Sequence, residues 1–147
     1  MAGWYNSVVE DLSKIVESIN YYEKELQEAK YECSIKGSLE KSSASLPGIT
    51  EHRFNQLQEI EAILEHLNIE LRKERSKTFR KYLESYNRTL SSRDAEKFVD
   101  SEDSVINLTH LCNQYSLLRN QYLGIMKGLD TKQIGRASCR ERVFRAV

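Results

Sequence analysis

One proline and six glycines in 147 residues give this chain little with which to build turns. A sandwich or barrel of many short strands is therefore excluded, and long helices are the expected alternative. Cysteine is also scarce. Cys33, Cys112 and Cys139 form no CxxC pair, have no histidine at metal-binding spacing, and are odd in number, which argues against a disulfide framework. Cys33 and Cys112 fall on apolar helical faces and read as reduced core thiols. No apolar run approaches the length needed to span a membrane, and the opening Met1-Ala-Gly-Trp-Tyr5 lacks the basic-then-apolar order of a secretory signal. The expectation is a soluble intracellular protein with no membrane partner.

Catalytic patterns are missing as well. His52, His66 and His110 are scattered and form no zinc motif. No glycine-rich loop could cradle a phosphate. The acidic pairs Glu23–Glu25 and Glu59–Glu61 are two residues apart and so do not face one another on a helix. No enzyme, cofactor or metal site is expected.

What is present is helical periodicity. Leu12, Ile15, Ile19, Tyr22, Leu26, Ala29 and Cys33 follow one another by alternating steps of three and four. That spacing belongs to a coiled coil or an antiparallel helix pair, and it predicts one helix from about Asn6 to Leu39. The polar run from Lys41 to Ser45, followed by Pro47-Gly48, reads as a linker. A second helix is predicted from Thr50, with Phe54, Leu57, Ile60, Leu64, Leu67 and Leu71 on its seam. Beyond Leu71 the seam turns polar through Glu74 or Arg75 and Thr78, before Phe79, Tyr82, Leu83, Tyr86 and Leu90 restore an apolar face. A turn is expected over Asn87–Ser92, then a short helix capped by Ser91 or Ser92. A third long helix is expected after the cap Asp100–Ser104, its seam carried by Leu108, Leu111, Tyr115, Leu118, Tyr122, Ile125 and Leu129. Gly124 and Gly128, four apart, would let a neighbouring helix approach closely.

The predicted class is all-α: long amphipathic helices in a helical hairpin or bundle, assembled as a homo-oligomer because narrow seams need partners. The expected divisions are a coiled-coil-like helix over 1–46, a helical core over 47–133, and a tail over 134–147. That tail, Ile134 to Val143 above all, resembles a translated cloning-vector or adapter sequence, and it breaks the pattern with Gly135 and a cluster of arginines. Its four arginines against Glu141 give a net +3, leaving −3 for residues 1–133. The native C-terminus is expected to lie elsewhere.

The most distinctive stretch is 72–93. Eight Lys/Arg (Arg72, Lys73, Arg75, Lys77, Arg80, Lys81, Arg88 and Arg93) stand against Glu74 and Glu84, a net +6, interleaved with Phe79, Tyr82 and Tyr86. Residues 51–71 and 94–103 flank it at −4 each. Lys73, Lys77 and Lys81 share one helical face, where like charges repel unless an anion relieves them. Cations beside aromatic faces suit the phosphates and bases of a single-stranded nucleic acid, and the candidate DNA-binding residues are Arg72, Lys73, Arg75, Lys77, Arg80, Lys81, Tyr82, Tyr86 and Arg88. The competing explanation is a solvated helix whose cations pair with the acidic segments on either side.

From Leu71 to Gln133 the order of features resembles the UvsY family of phage recombination mediators: a basic helix end with Lys77 and Tyr82, a short turn, the acid-capped segment Ala95 to Ile106, and a long amphipathic helix with Tyr115, Leu118 and Tyr122. The resemblance implies a small helical ring-forming protein of the infected bacterial cytoplasm that binds single-stranded DNA. It would help displace a single-strand-binding protein and load a RecA-like recombinase. It also implies DNA contact at Lys77 and Tyr82, with Arg80 and Lys81 supplying charge, and a C-terminal helix that drives assembly. The alternative class is a helical scaffold or virion-associated oligomer that binds no nucleic acid.

Overall fold

A computed structural model of the chain describes residues 3–34, 39–85 and 91–145. Every regular element among them is helical. The helices are α1 (Trp4–Glu10), α2 (Ile15–Ser34), α3 (Leu39–Ser85), α4 (Ser92–Ser101) and α5 (Asp103–Arg145), with a single 3-10 turn, Leu12–Lys14, between α1 and α2.

The first predicted helix is thus interrupted. Asp11 is extended, with φ −143° and ψ 105°. Its carboxylate accepts hydrogen bonds from the Ser13 amide at 3.0 Å and the Ser13 hydroxyl at 2.7 Å. An aspartate that bonds its own downstream backbone competes with the helical ladder, which ends α1 and starts a new helix. Apolar spacing alone does not register such a break.

The predicted linker is corrected too. α3 begins at Leu39, not near Thr50, and carries Pro47 inside it. A proline in a helix removes one donor and crowds the preceding turn, at a cost of about 3 kcal/mol. Alanine, leucine, lysine and glutamate around it favour helix, and propagation is cooperative. Likewise α5 runs through Gly135 to Arg145 instead of breaking at Ile134. One glycine costs about 1 kcal/mol, while the arginines, alanine and glutamate beside it are good helix formers.

By their contacts the residues form two compact units, Met1–Glu61 with Leu117–Val147, and Ala62–Ser116. In the first unit α2 buries Ile15, Ile19, Tyr22, Leu26 and Ala29, α3 buries Leu57 and Ile60, and α5 buries Leu118, Tyr122, Ile125 and Leu129. The rings of Tyr22 and Tyr122 meet edge-on at 6.5 Å. Ser18 is buried without penalty, since its hydroxyl donates to the Ile15 carbonyl at 2.6 Å.

One seam position is exchanged. Phe54 is 47% exposed, while Arg53 is 1% exposed. Both fit the spacing back from Leu57, by three and by four. The acids on α2 decide between them. The Arg53 guanidinium donates to both carboxylate oxygens of Glu32 at 2.7 and 3.0 Å, to Glu25 at 2.7 Å, and to the Gln56 side-chain carbonyl at 2.8 Å. Gln56 donates to Glu25 at 3.0 Å and accepts from the Tyr122 hydroxyl at 3.2 Å. A fixed fork of donors meeting a carboxylate on two bonds is the geometry that tolerates burial of a charge. Desolvation opposes the Arg53 charge, but Glu32 and Glu25 outweigh it and raise its pKa. Burial likewise pushes Glu25 up, and the hydrogen bonds from Gln56 and Arg53 carry it below the ordinary glutamate value.

The two glycines of α5 separate. A Cβ on Gly128 would lie 2.8 Å from the Cys33 sulfur, so α2 and α5 approach closely there. A Cβ on Gly124 would meet nothing within 4 Å.

The second unit packs Ile63, Leu64, Leu67 and Thr78 of α3, Ala95 and Val99 of α4, and Val105, Cys112 and Tyr115 of α5. Leu108 and Leu111 are half-buried. Burial raises the Cys112 thiol pKa, as expected of an unreactive core thiol. The α4 N-terminus follows the sequence expectation: the Ser91 hydroxyl accepts the Asp94 amide at 3.3 Å. Among the described residues no helix is long and apolar enough to cross a membrane.

Candidate nucleic-acid interface

The basic stretch as far as Ser85 lies within α3, in the second unit. Helical phase sorts its side chains into two groups. Steps of three and four place Ile69, Arg72, Lys73, Ser76, Lys77, Arg80, Lys81 and Glu84 on one stripe, where they line a shallow open groove. Arg75, Phe79 and Tyr82 turn toward α4. Arg75 and Phe79 line a second shallow depression with Glu96 and Val99, and Ser76 and Arg80 of the first stripe border it as well.

Acids of the α4–α5 corner take some of the positive charge. Arg75 pairs with Asp100 at 2.8 Å, and Lys81 lies 3.6 Å from Glu102. Glu102 is the C-cap of α4, with φ −68° and ψ 131°, and its backbone N–H donates to the Val99 carbonyl at 3.2 Å. That extended residue turns its carboxylate back toward α3, where it also accepts from the Tyr82 hydroxyl at 2.6 Å. The Tyr82 bond holds the Glu102 carboxyl below its ordinary value, with a smaller contribution from Lys81. A neighbouring acid, Glu74, accepts from the Ser104 hydroxyl at 2.9 Å.

The other cations are differently placed. Lys73 reaches Glu70 at 3.4 Å within the same helix, its side chain 70% exposed. Such a pair contributes at most a few tenths of a kcal/mol, about 0.2–0.5. Arg72, Lys77 and Arg80 are exposed, with no carboxylate in ion-pair range among the described residues. Within the row Lys73, Lys77, Lys81 the two ends have acids and the middle has none. An anion arriving at Lys77 and Arg80 would displace water alone, and it would have to displace a carboxylate at Arg75 or Lys81.

Tyr82 is half-buried, and its ring stacks on Phe98 of α4 with centroids 5.3 Å apart and planes 24° off parallel. The Lys81 ammonium lies 5.8 Å from the centre of the same ring. Tyr86 and Arg88 lie outside the described residues. Sequence reasoning missed two features here and in the first unit: the role of Glu102 as a shared acceptor for Tyr82 and Lys81, and the buried Arg53 cluster. The acidic run after Val99 was a signal for the former, since one turn of α4 brings Asp100 and Glu102 back against α3.

Among the described residues no group of three His, Cys, Asp or Glu is placed to hold a metal ion. No protein-family model, curated protein or solved structure matches the chain.

Proposed function

We propose that the protein binds single-stranded DNA along the Arg72–Arg80 face of α3 and acts as a recombination mediator, helping to load a RecA-like recombinase on DNA covered by a single-strand-binding protein. The observation that carries this reading is the open row Arg72, Lys77 and Arg80, exposed and without acidic partners among the described residues. Charge repulsion along such a row costs stability unless something anionic offsets it. The mediator role adds the resemblance of residues 71–133 to the UvsY family. Self-association as a homo-oligomer in the bacterial cytoplasm belongs to the same proposal. Many weak sites in one assembly would bind a long strand by avidity.

The Arg75–Asp100 and Lys81–Glu102 pairs favour a second reading, a helical scaffold whose charges serve its own packing. Fluorescence anisotropy of labelled oligo-dT with the whole chain separates the two. For four neutralised phosphates on a single strand, affinity should fall about fifty-fold between roughly 50 and 200 mM salt. Absence of binding at any salt would remove the DNA reading and leave the scaffold. With binding in hand, recombinase loading on strands covered by single-strand-binding protein tests the mediator role.

A further inference from the structure

We infer that this face reads the phosphodiester backbone of a single strand and makes no use of its bases. The inference rests on the DNA reading above and deepens it by assigning the chemistry of contact. A basic stretch interleaved with aromatics suggests bases stacked between cations. The placement of those aromatics argues otherwise. Among the described residues no aromatic lines the open stripe; its lining there is long-chain cations and the Ser76 hydroxyl, with Ile69 at one end and Glu84 at the other. Phe79 is half-buried in the second depression, against Val99 of α4, where it borders Ser76 and Arg80 of the stripe without lining the stripe itself. Tyr82 is occupied twice over, its ring against Phe98 at 5.3 Å and its hydroxyl on Glu102 at 2.6 Å. Offering that ring to a base would mean unstacking Phe98 and giving up the hydrogen bond from the Tyr82 hydroxyl to Glu102.

What remains on the open side is a set of N–H and O–H donors carried by Arg72, Lys73, Ser76, Lys77 and Arg80. Guanidinium and ammonium groups match phosphate oxygens, the former on two bonds at once. Phosphate contacts position a strand and carry no sequence information. The face therefore takes a polyanionic backbone of any sequence.

The test compares two labelled strands of equal length on the full chain by anisotropy, one oligo-dT and one built wholly of abasic spacer units. Affinities within about twofold of one another are expected, with the same salt slope. The double change Arg72→Gln/Lys77→Gln should weaken both by the same factor, and unchanged helicity by circular dichroism would show that folding is intact. Stacking contributes at least about fivefold per base. A fivefold or larger preference for oligo-dT would overturn the backbone-only inference while leaving the DNA reading in place. If Tyr86→Ala then abolished that preference, Tyr86 would be identified as the stacking residue, again against the inference. Binding to neither strand would defeat the DNA reading and this inference with it.

Discussion

The two halves of α3 use the same kind of side chain in opposite ways. In the first unit Arg53 is almost wholly withdrawn from water and satisfied by Glu25, Glu32 and Gln56. In the second unit Arg72 and Arg80 of the same helix stand in solvent with no carboxylate in ion-pair range among the described residues. Local sequence does not separate them, because each has acids a few positions away along the chain. The acids of the facing helix make the difference. α2 presents Glu25 and Glu32, seven apart and so on one face, to Arg53. The α4–α5 corner presents Asp100 and Glu102 to Arg75 and Lys81. Whether a cation is structural or available is settled by tertiary placement, and net charge over a window averages the two kinds together.

Removing the buried cation should have the largest effect. Arg53→Met leaves Glu25 and Glu32, on one face of α2, without their shared cation in a partly buried site. About 3 kcal/mol of unfolding free energy should be lost in urea titration. Affinity for oligo-dT should not change. A loss below about 1 kcal/mol would mean that the cluster is neutralised or hydrated some other way, and the contrast between the two halves would narrow.

The close packing of the first unit gives a smaller effect of two signs. Gly128→Ala places a methyl 2.8 Å from the Cys33 sulfur and should cost about 1 kcal/mol net, even after the gain in helix propensity. Adding Cys33→Ala should recover most of that loss. Gly124→Ala meets open space and should stabilise by about 0.5–1 kcal/mol. Equal effects at the two glycines in thermal melts would contradict the close contact of α2 and α5.

The acidic corner should act as a brake on binding. Asp100→Asn with Glu102→Gln releases Arg75 and Lys81 while keeping an acceptor for Tyr82. Affinity for oligo-dT should rise by about three- to fivefold, and the salt slope should steepen by up to about 1.4 as two more cations become available. A fall in affinity would show that the pairs hold α3 in its binding shape and do not compete with DNA.

Acid is expected to act gently and on both units. The Glu25 and Glu102 carboxyls lie below the ordinary value of 4.5 in the folded protein, so the folded state holds fewer protons there than the unfolded chain. The stability they contribute is complete above about pH 4.5 and lost as pH falls through their lower folded values. The melting temperature should be flat from about pH 6 to 8 and decline below about 4.5. Glu25→Gln should blunt the decline. A decline already under way near neutral pH would point to other groups.

The seams were the most legible part of the sequence. Ile15 through Ala29, Leu57 through Leu67 except for neighbouring phase choices, and Tyr115 through Leu129 are buried as spacing implied. Spacing reads out which face is apolar, and burial follows. Interruptions were less legible, because they depend on one side chain against a cooperative ladder. Asp11 wins that contest by bonding Ser13, whereas Pro47 and Gly135 lose it. Ambiguous phase was the other failure, as at Arg53 and Phe54, where only the acids across the interface decide. The basic stretch was visible as charge, yet its division into paired and open cations, and the use of Tyr82 in packing, required α4 to be in place.

If the open row is the binding face, the position of a cation and not the charge count sets affinity, and one comparison of variants decides it. Two variants each lose two positive charges from α3: Arg72→Gln/Lys77→Gln from the open row, and Arg75→Gln/Lys81→Gln from the row held by Asp100 and Glu102. Measured by oligo-dT anisotropy at low salt, the first should lose about tenfold or more in affinity, at roughly 1 kcal/mol per phosphate contact, and the second less than about threefold. Equal losses would reduce the interface to a diffuse positive field, and a larger loss in the second would contradict the assignment of the open row as the binding face.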